Sequence, residues 1–203
     1  MCSSDLAALP PQLRELTGEQ MARRLKKHQG ASADKSSSTT EKSSLVALTT
    51  EQQQVLGAMA DRTGPFLLFG NTGSGKTEVY LRRVEALLSQ DAEAQALLMV
   101  PEINLTPQLE ARVRERFQHW GVDAIVSMHS GMTPAQRLRS WLLAHTGRAR
   151  IVLGTRMAIF ASLPRLRLIV VDEEHDPSYK QQEGARRSEE HTSELQSHHD
   201  LVC

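Results

Sequence analysis

The chain shifts its pattern of apolar and polar positions several times along its length. Between Leu6 and Gly30 the apolar residues Leu13, Leu16, Met21 and Leu25 recur at roughly helical spacing, which predicts one amphipathic helix. Ala31 to Ser44 is small, polar and aperiodic, and reads as a flexible linker. From Leu45 to about Gly184 short apolar runs alternate with amphipathic stretches, and after Gly184 the pattern stops. Five runs in this middle segment read as strands: Phe66–Phe69, Leu97–Val100, Ala124–Val126, Ile151–Leu153 and Leu168–Val171. Between them lie three helical stripes, made by Tyr80, Val84, Leu87 and Leu88, then Leu109, Val113 and Phe117, then Leu138, Trp141 and Leu142.

Short, fully apolar strands separated by helices predict an α/β fold with a mainly parallel sheet buried on both faces. Right-handed crossovers place every strand C-terminus on one rim, where ligands bind. Function is therefore expected in the residues that directly follow the strands.

Composition narrows the classes further. The chain has 203 residues, with 24 Lys+Arg against 24 Asp+Glu, for a formal charge of zero. A strongly basic nucleic-acid wrapper and an acidic tail protein are excluded, although a local basic groove is not. No window approaches the roughly 18 uninterrupted apolar residues of a membrane span, and residues 1–6 do not resemble a secretory leader. The two cysteines, Cys2 and Cys203, form neither a disulfide framework nor a metal cluster. A soluble protein of a reducing compartment is the expectation.

Two segments carry the chemistry. Gly70-Asn71-Thr72-Gly73-Ser74-Gly75-Lys76-Thr77 fits G-x-x-x-x-G-K-[ST] in full, after an apolar run and before a helical stripe. Successive backbone N–H groups of such a turn can point inward at a phosphate, and the following helix adds its positive end. Lys76 supplies a charge for the β/γ oxygens and Thr77 a hydroxyl for Mg²⁺. A chance glycine-rich turn is the bland alternative. The second segment is Leu168-Ile-Val-Val-Asp-Glu-Glu-His175, an apolar run ending in carboxylates. Asp172 is placed to hold Mg²⁺ and Glu173 to act as general base toward water. An acidic pair at a strand end is weak evidence alone and strong evidence when paired with the phosphate loop. His175 is either a coupling residue or an ordinary polar strand end.

The Asp-Glu-Glu-His form resembles DEAH/DExH-type helicases of superfamily 2. Val100-Pro-Glu-Ile-Asn-Leu-Thr-Pro-Gln108, Met128-His-Ser-Gly131, Gly154-Thr-Arg-Met-Ala-Ile-Phe160 and Asp172 through Gly184 resemble, more narrowly, the replication-restart helicases of the primosomal protein N′ family. The likeness runs from about Leu48 to Arg186, and Ser178 to Gly184 is its most specific part. It implies a RecA-like P-loop NTPase lobe over residues 45–186, with ATP and Mg²⁺ as cofactors. It implies that Lys76, Asp172 and Glu173 serve hydrolysis and that Gln52 reaches toward adenine. It also implies that Pro101, Thr106, Gln108, Gly154, Thr155 and Arg156 track the phosphates of single-stranded DNA, with Tyr179 and Lys180 as a stacking and charge pair. Sequence-blind backbone contacts of that kind suit turn N–H groups, hydroxyls and an Arg. Strand-end turn chemistry is the bland alternative for Pro101 to Gln108 and Gly154 to Arg156, a surface helix position for Gln52 and plain packing for Tyr179, and the resemblance leaves coupling of DNA to ATP as the other role for Tyr179 and Lys180.

By the same resemblance the partners are single-stranded and forked DNA, primosome proteins and single-strand-binding protein. The activity is 3′→5′ unwinding at stalled forks. A second motor lobe, a zinc-binding cysteine cluster and an N-terminal DNA-binding region are expected beyond this chain, with residues 7–44 holding a remnant helix and linker. An arginine finger from a missing second lobe is worth about 10³–10⁵ in rate, so slow turnover is expected of this chain alone. Residues 1–6 and 187–203 resemble translated sequencing-library adapter and are expected to be non-native, which removes meaning from His191, His198 and His199. The rival readings are another superfamily 2 DNA translocase, a small-molecule kinase or GTPase-like switch, and a nucleotide-binding module without catalysis. The absence of an Asn-Lys-x-Asp base-reading segment argues against a GTPase.

Overall fold

A computed structural model of the protein describes residues 47–179 apart from 61, 63, 72 and 103, together with 19, 20, 23, 24 and 26. The helix expected from Leu13, Leu16, Met21 and Leu25, the linker, Thr72, Lys180 and the two end segments lie outside the described residues.

Four parallel strands form one sheet: β1 (Gln95–Met99), β2 (Ile125–Met128), β3 (Ile151–Gly154) and β4 (Leu166–Val171). Their order is β2-β3-β1-β4, with Leu98 of β1 opposite Leu153 on one side and Val170 on the other. Among the residues described from 47 to 179, the α-helices that accompany them are α1 (Thr50–Ala60), α2 (Lys76–Gln90), α3 (Pro107–Phe117) and α4 (Pro134–His145).

Successive side chains of a strand point to opposite faces, so β1 feeds two cores. Ala96, Leu98 and Val100 pack with Leu81, Val84 and Leu88 of α2 and with Val113 and Phe117 of α3. Leu97 and Met99 pack with Val126, Met128, Leu143 and Ala144 on the other face. Layers of helix, sheet and helix follow from a central strand that is apolar at every position but one. That exception, Gln95, is fully buried and satisfied: its Nε2 donates to the carbonyls of Ala144 and Ala149, and its Oε1 accepts from the Arg165 N–H.

Helix starts follow local rules. Thr106 accepts from the Leu109 N–H ahead of Pro107, and Thr133 with Gln136 forms a reciprocal cap ahead of Pro134. Gly154 closes β3 where Met128 and Ala158 leave no room for a Cβ, the latter at 2.7 Å.

One expectation is corrected. Phe66–Phe69 is not a strand; it has no regular structure, and Phe69 is 92% exposed. A parallel strand gains stability when both of its faces are covered. The free edge at β4 offers little cover, since Ile169 there is itself 44% exposed.

Candidate functional site

The phosphate loop turns from Gly70 into α2. Gly75 adopts φ +83°, a left-handed conformation costly for a side chain, and hands the chain to Lys76 at the helix start. Lys76 Nζ donates to the Gly70 carbonyl at 2.6 Å and lies 3.8 Å from the Glu173 carboxylate. Gln52 couples α1 to this loop: its Oε1 caps Thr49 N–H, and its Nε2 donates to the Ser74 carbonyl at 3.3 Å.

β4 delivers Asp172 and Glu173 to the same place. The Asp172 N–H donates to the Met99 carbonyl, which fixes the carboxylate at the rim. Glu173 follows in a left-handed conformation, φ +50°, unusual for a residue with a side chain. Asn71, Gly73, Gly75, Lys76, Thr77, Asp172 and Glu173 all line one cavity of about 500 Å³.

Tyr80, which periodicity marks only as a core residue, joins the two halves. Its hydroxyl donates to Asp172 Oδ2 at 3.3 Å and shares a hydrogen bond with Thr77. Burial, followed by the Asp172 charge, pushes its phenol well above the ordinary tyrosine range. Its spacing of three residues from Thr77 was the available signal, since such residues share a helix face. Asp172 is itself pushed upward, first by burial and then by the Glu173 charge, with Tyr80 and Lys76 opposing.

A half-buried carboxylate with a second one beside it is a fitting receptor for a divalent cation. Thr77, Asp172 and a nucleotide's own phosphates form the oxygen donor set that Mg²⁺ prefers. Among the described residues no group of three or more His, Cys, Asp or Glu could hold a metal without such help.

The remaining expected residues fall in several settings. Thr106 lines the same cavity and spends its hydroxyl on the α3 cap, while Gln108 stands exposed two residues on. Pro101 is buried, and its carbonyl accepts from Asn104 and Leu105 N–H groups. Gly154 donates packing space rather than surface, and Thr155 is 2% exposed with its hydroxyl unpartnered among the described residues. Arg156 beside it is exposed. Tyr179 donates its hydroxyl to the Asp172 carbonyl at 2.8 Å and rests its ring on the second core. His175 is 73% exposed, 3.6 Å from the Glu173 carboxylate and 3.8 Å from that of Glu174. No helix among the described residues is long and apolar enough to cross a membrane.

Comparison with known proteins gives the same reading independently. Residues 49–202 match the DEAD/DEAH box helicase family. The chain is 43% identical over 127 residues to the "Replication restart protein PriA" of Bacillus subtilis, covering 63% of this chain and 15% of that protein. It is 48% identical over 121 residues to the protein of that name from Haemophilus influenzae (60% and 16%), and 45% identical over 136 residues to the one from Treponema pallidum (66% and 20%). The chain thus spans about a fifth or less of the length of these curated relatives. With a phosphate loop and an Asp-Glu-Glu-His strand end on one rim of a RecA-like parallel sheet, and a family match covering most of its length, the chain belongs to the DEAD/DEAH box helicases.

Proposed function

We propose that residues 45–186 form the ATP-binding motor lobe of a 3′→5′ DNA helicase acting in the restart of stalled replication forks. The observation that carries the reading is the meeting of Lys76, Thr77, Tyr80, Asp172 and Glu173 around one cavity at the strand C-termini. In this reading the glycine turn and the start of α2 seat the triphosphate, and Lys76 exchanges its loop carbonyl for the β/γ oxygens. Thr77 and Asp172 would hold Mg²⁺, which when bound neutralises charge on the transferring phosphoryl group. Glu173 orients the attacking water and accepts its proton, while Lys76 holds that carboxylate near the phosphates. Gln52, which anchors the loop through the Ser74 carbonyl, is the proposed adenine contact.

DNA, single-stranded and forked, is the proposed track. Pro101, Thr106, Gln108, Gly154, Thr155, Arg156, Tyr179 and Lys180 are its proposed contacts, and His175 the proposed coupling residue. The exposed Gln108 and Arg156 support direct contact. The burial of Thr155 and the committed hydroxyl of Tyr179 support a shaping role for those two. The relatives' name supports replication restart, and with it primosome and single-strand-binding proteins as partners in a bacterial cytoplasm. Zinc belongs, in this reading, to other parts of the longer protein.

Two substitutions made in the full-length protein test the site. Lys76→Ala should abolish measurable nucleotide binding. Glu173→Gln should keep binding and lower DNA-stimulated ATPase by about 10²–10⁴, the range for losing a general base. Full ATPase activity in Glu173→Gln would refute the assigned base.

A further inference from the structure

The far wall of the nucleotide cavity is built by α3, through Thr106, Leu109 and Arg112. These residues are three apart, so they share one helix face. Arg112 is exposed, makes no ion pair among the described residues, and lies close enough to the Tyr80 hydroxyl for its charge to act on it. One turn further on, Arg116 anchors the helix to α2 through Glu78 at 2.7 Å and Glu85 at 3.0 Å. The face that carries Arg112 is therefore held against the phosphate-loop helix.

Charge balance gives Arg112 a task. Glu78 also lines the cavity, but Arg82 and Arg116 already neutralise it. That leaves Asp172 and Glu173 facing Lys76, with Arg112 the other cation of the lining that no carboxylate pairs among the described residues. We propose that Arg112 is a second phosphate-binding cation of the nucleotide site, presented by α3 and recognising the polyphosphate rather than the nucleoside. The inference rests on the nucleotide site proposed above and adds a residue outside the phosphate loop and the acidic strand end. Arg116 is the positioning residue that keeps the guanidinium in place. A planar guanidinium can engage two phosphate oxygens through parallel N–H bonds in a fixed fork, whereas a lysine acts as a point charge.

Equilibrium titration of this chain with fluorescently labelled ATP, ADP and AMP, in the presence of Mg²⁺, tests it. Arg112→Ala should weaken ATP binding by about tenfold, the low end for a charge-assisted contact at a solvent-facing site. AMP binding should stay within about twofold of the parent, because the lost contact is to the distal phosphates. Arg112→Gln, which keeps the stem and drops the charge, should lose as much as Arg112→Ala, and Arg112→Lys should recover part of it. The difference from the parent should shrink as salt is raised. Unchanged ATP affinity in Arg112→Ala and Arg112→Gln, with Lys76→Ala having lost it, would overturn this inference and leave the site intact. Equal losses for ATP and AMP would also overturn it. Unchanged affinity in Lys76→Ala would instead sink the nucleotide site itself.

Discussion

Burial and the neighbouring Glu173 carboxylate both raise the pKa of Asp172 above its ordinary value. In a metal-free protein this has a definite sign. A carboxyl whose folded pKa is raised favours folding most below its unfolded pKa, and that contribution is lost as pH rises through the folded value. Asp172→Asn should therefore raise the melting temperature of the metal-free protein at neutral pH. The gain should vanish in acid below the ordinary aspartate range, about 3.9. The same variant should lose the thermal stabilisation given by Mg²⁺-nucleotide, which differential scanning fluorimetry reads directly. A variant less stable than its parent at neutral pH would show that Tyr80 and Lys76 outweigh burial. Tyr80 belongs to the same account: its hydroxyl touches both residues proposed to hold the ion, so a side chain that reads as core filler also joins the two halves of the cavity.

Between elements, Glu78 of α2 forms a polar joint with Arg116 of α3. Glu78 is 8% exposed and accepts from Arg82 at 2.8 Å as well. Burial pushes its carboxyl upward, but the Arg116 and Arg82 guanidiniums prevail and hold it below the ordinary range. Removing one partner of such a group strands the other charges, so Glu78→Gln should cost about 2–3 kcal/mol by urea unfolding at pH 7. A lowered pKa gives stability above the unfolded value and loses it as pH falls through the folded value, so the cost should fade well below pH ~4. Periodicity located α2, α3, α4 and four of the five expected strands, because their apolar faces repeat at the period of the element. It could not show that Glu78 and Arg116 meet, since 38 residues separate them and nothing local pairs them. It also misread Phe66–Phe69: four apolar residues satisfy a strand pattern whether or not a neighbouring edge and covering layer exist. The phosphate loop and acidic tip were legible because their chemistry needs fixed residues at fixed spacing. The α3 wall was not, because any helix passing that cavity could supply it.

At the scale of the whole molecule, the sheet is tied to its flanking layer by one buried amide. Gln95 closes the N-terminal end of β1 against both the C-terminal end of α4 and the turn before β4. Gln95→Leu fills the space but strips the Ala149 carbonyl and the Arg165 N–H of their partner, while the Ala144 carbonyl keeps the Gly147 N–H, and should cost about 2–4 kcal/mol in global stability, read by chemical denaturation. Retention of parental stability would mean that water reaches those groups. At the opposite, C-terminal rim, where the cavity proposed for the nucleotide opens, the chain accepts strain instead. Glu173 holds a left-handed turn that costs a side chain about 1 kcal/mol and glycine nothing. A library randomised at that codon and screened only for survival of heating should enrich glycine there, and the survivors should be sturdier molecules that lack the carboxylate proposed as the general base.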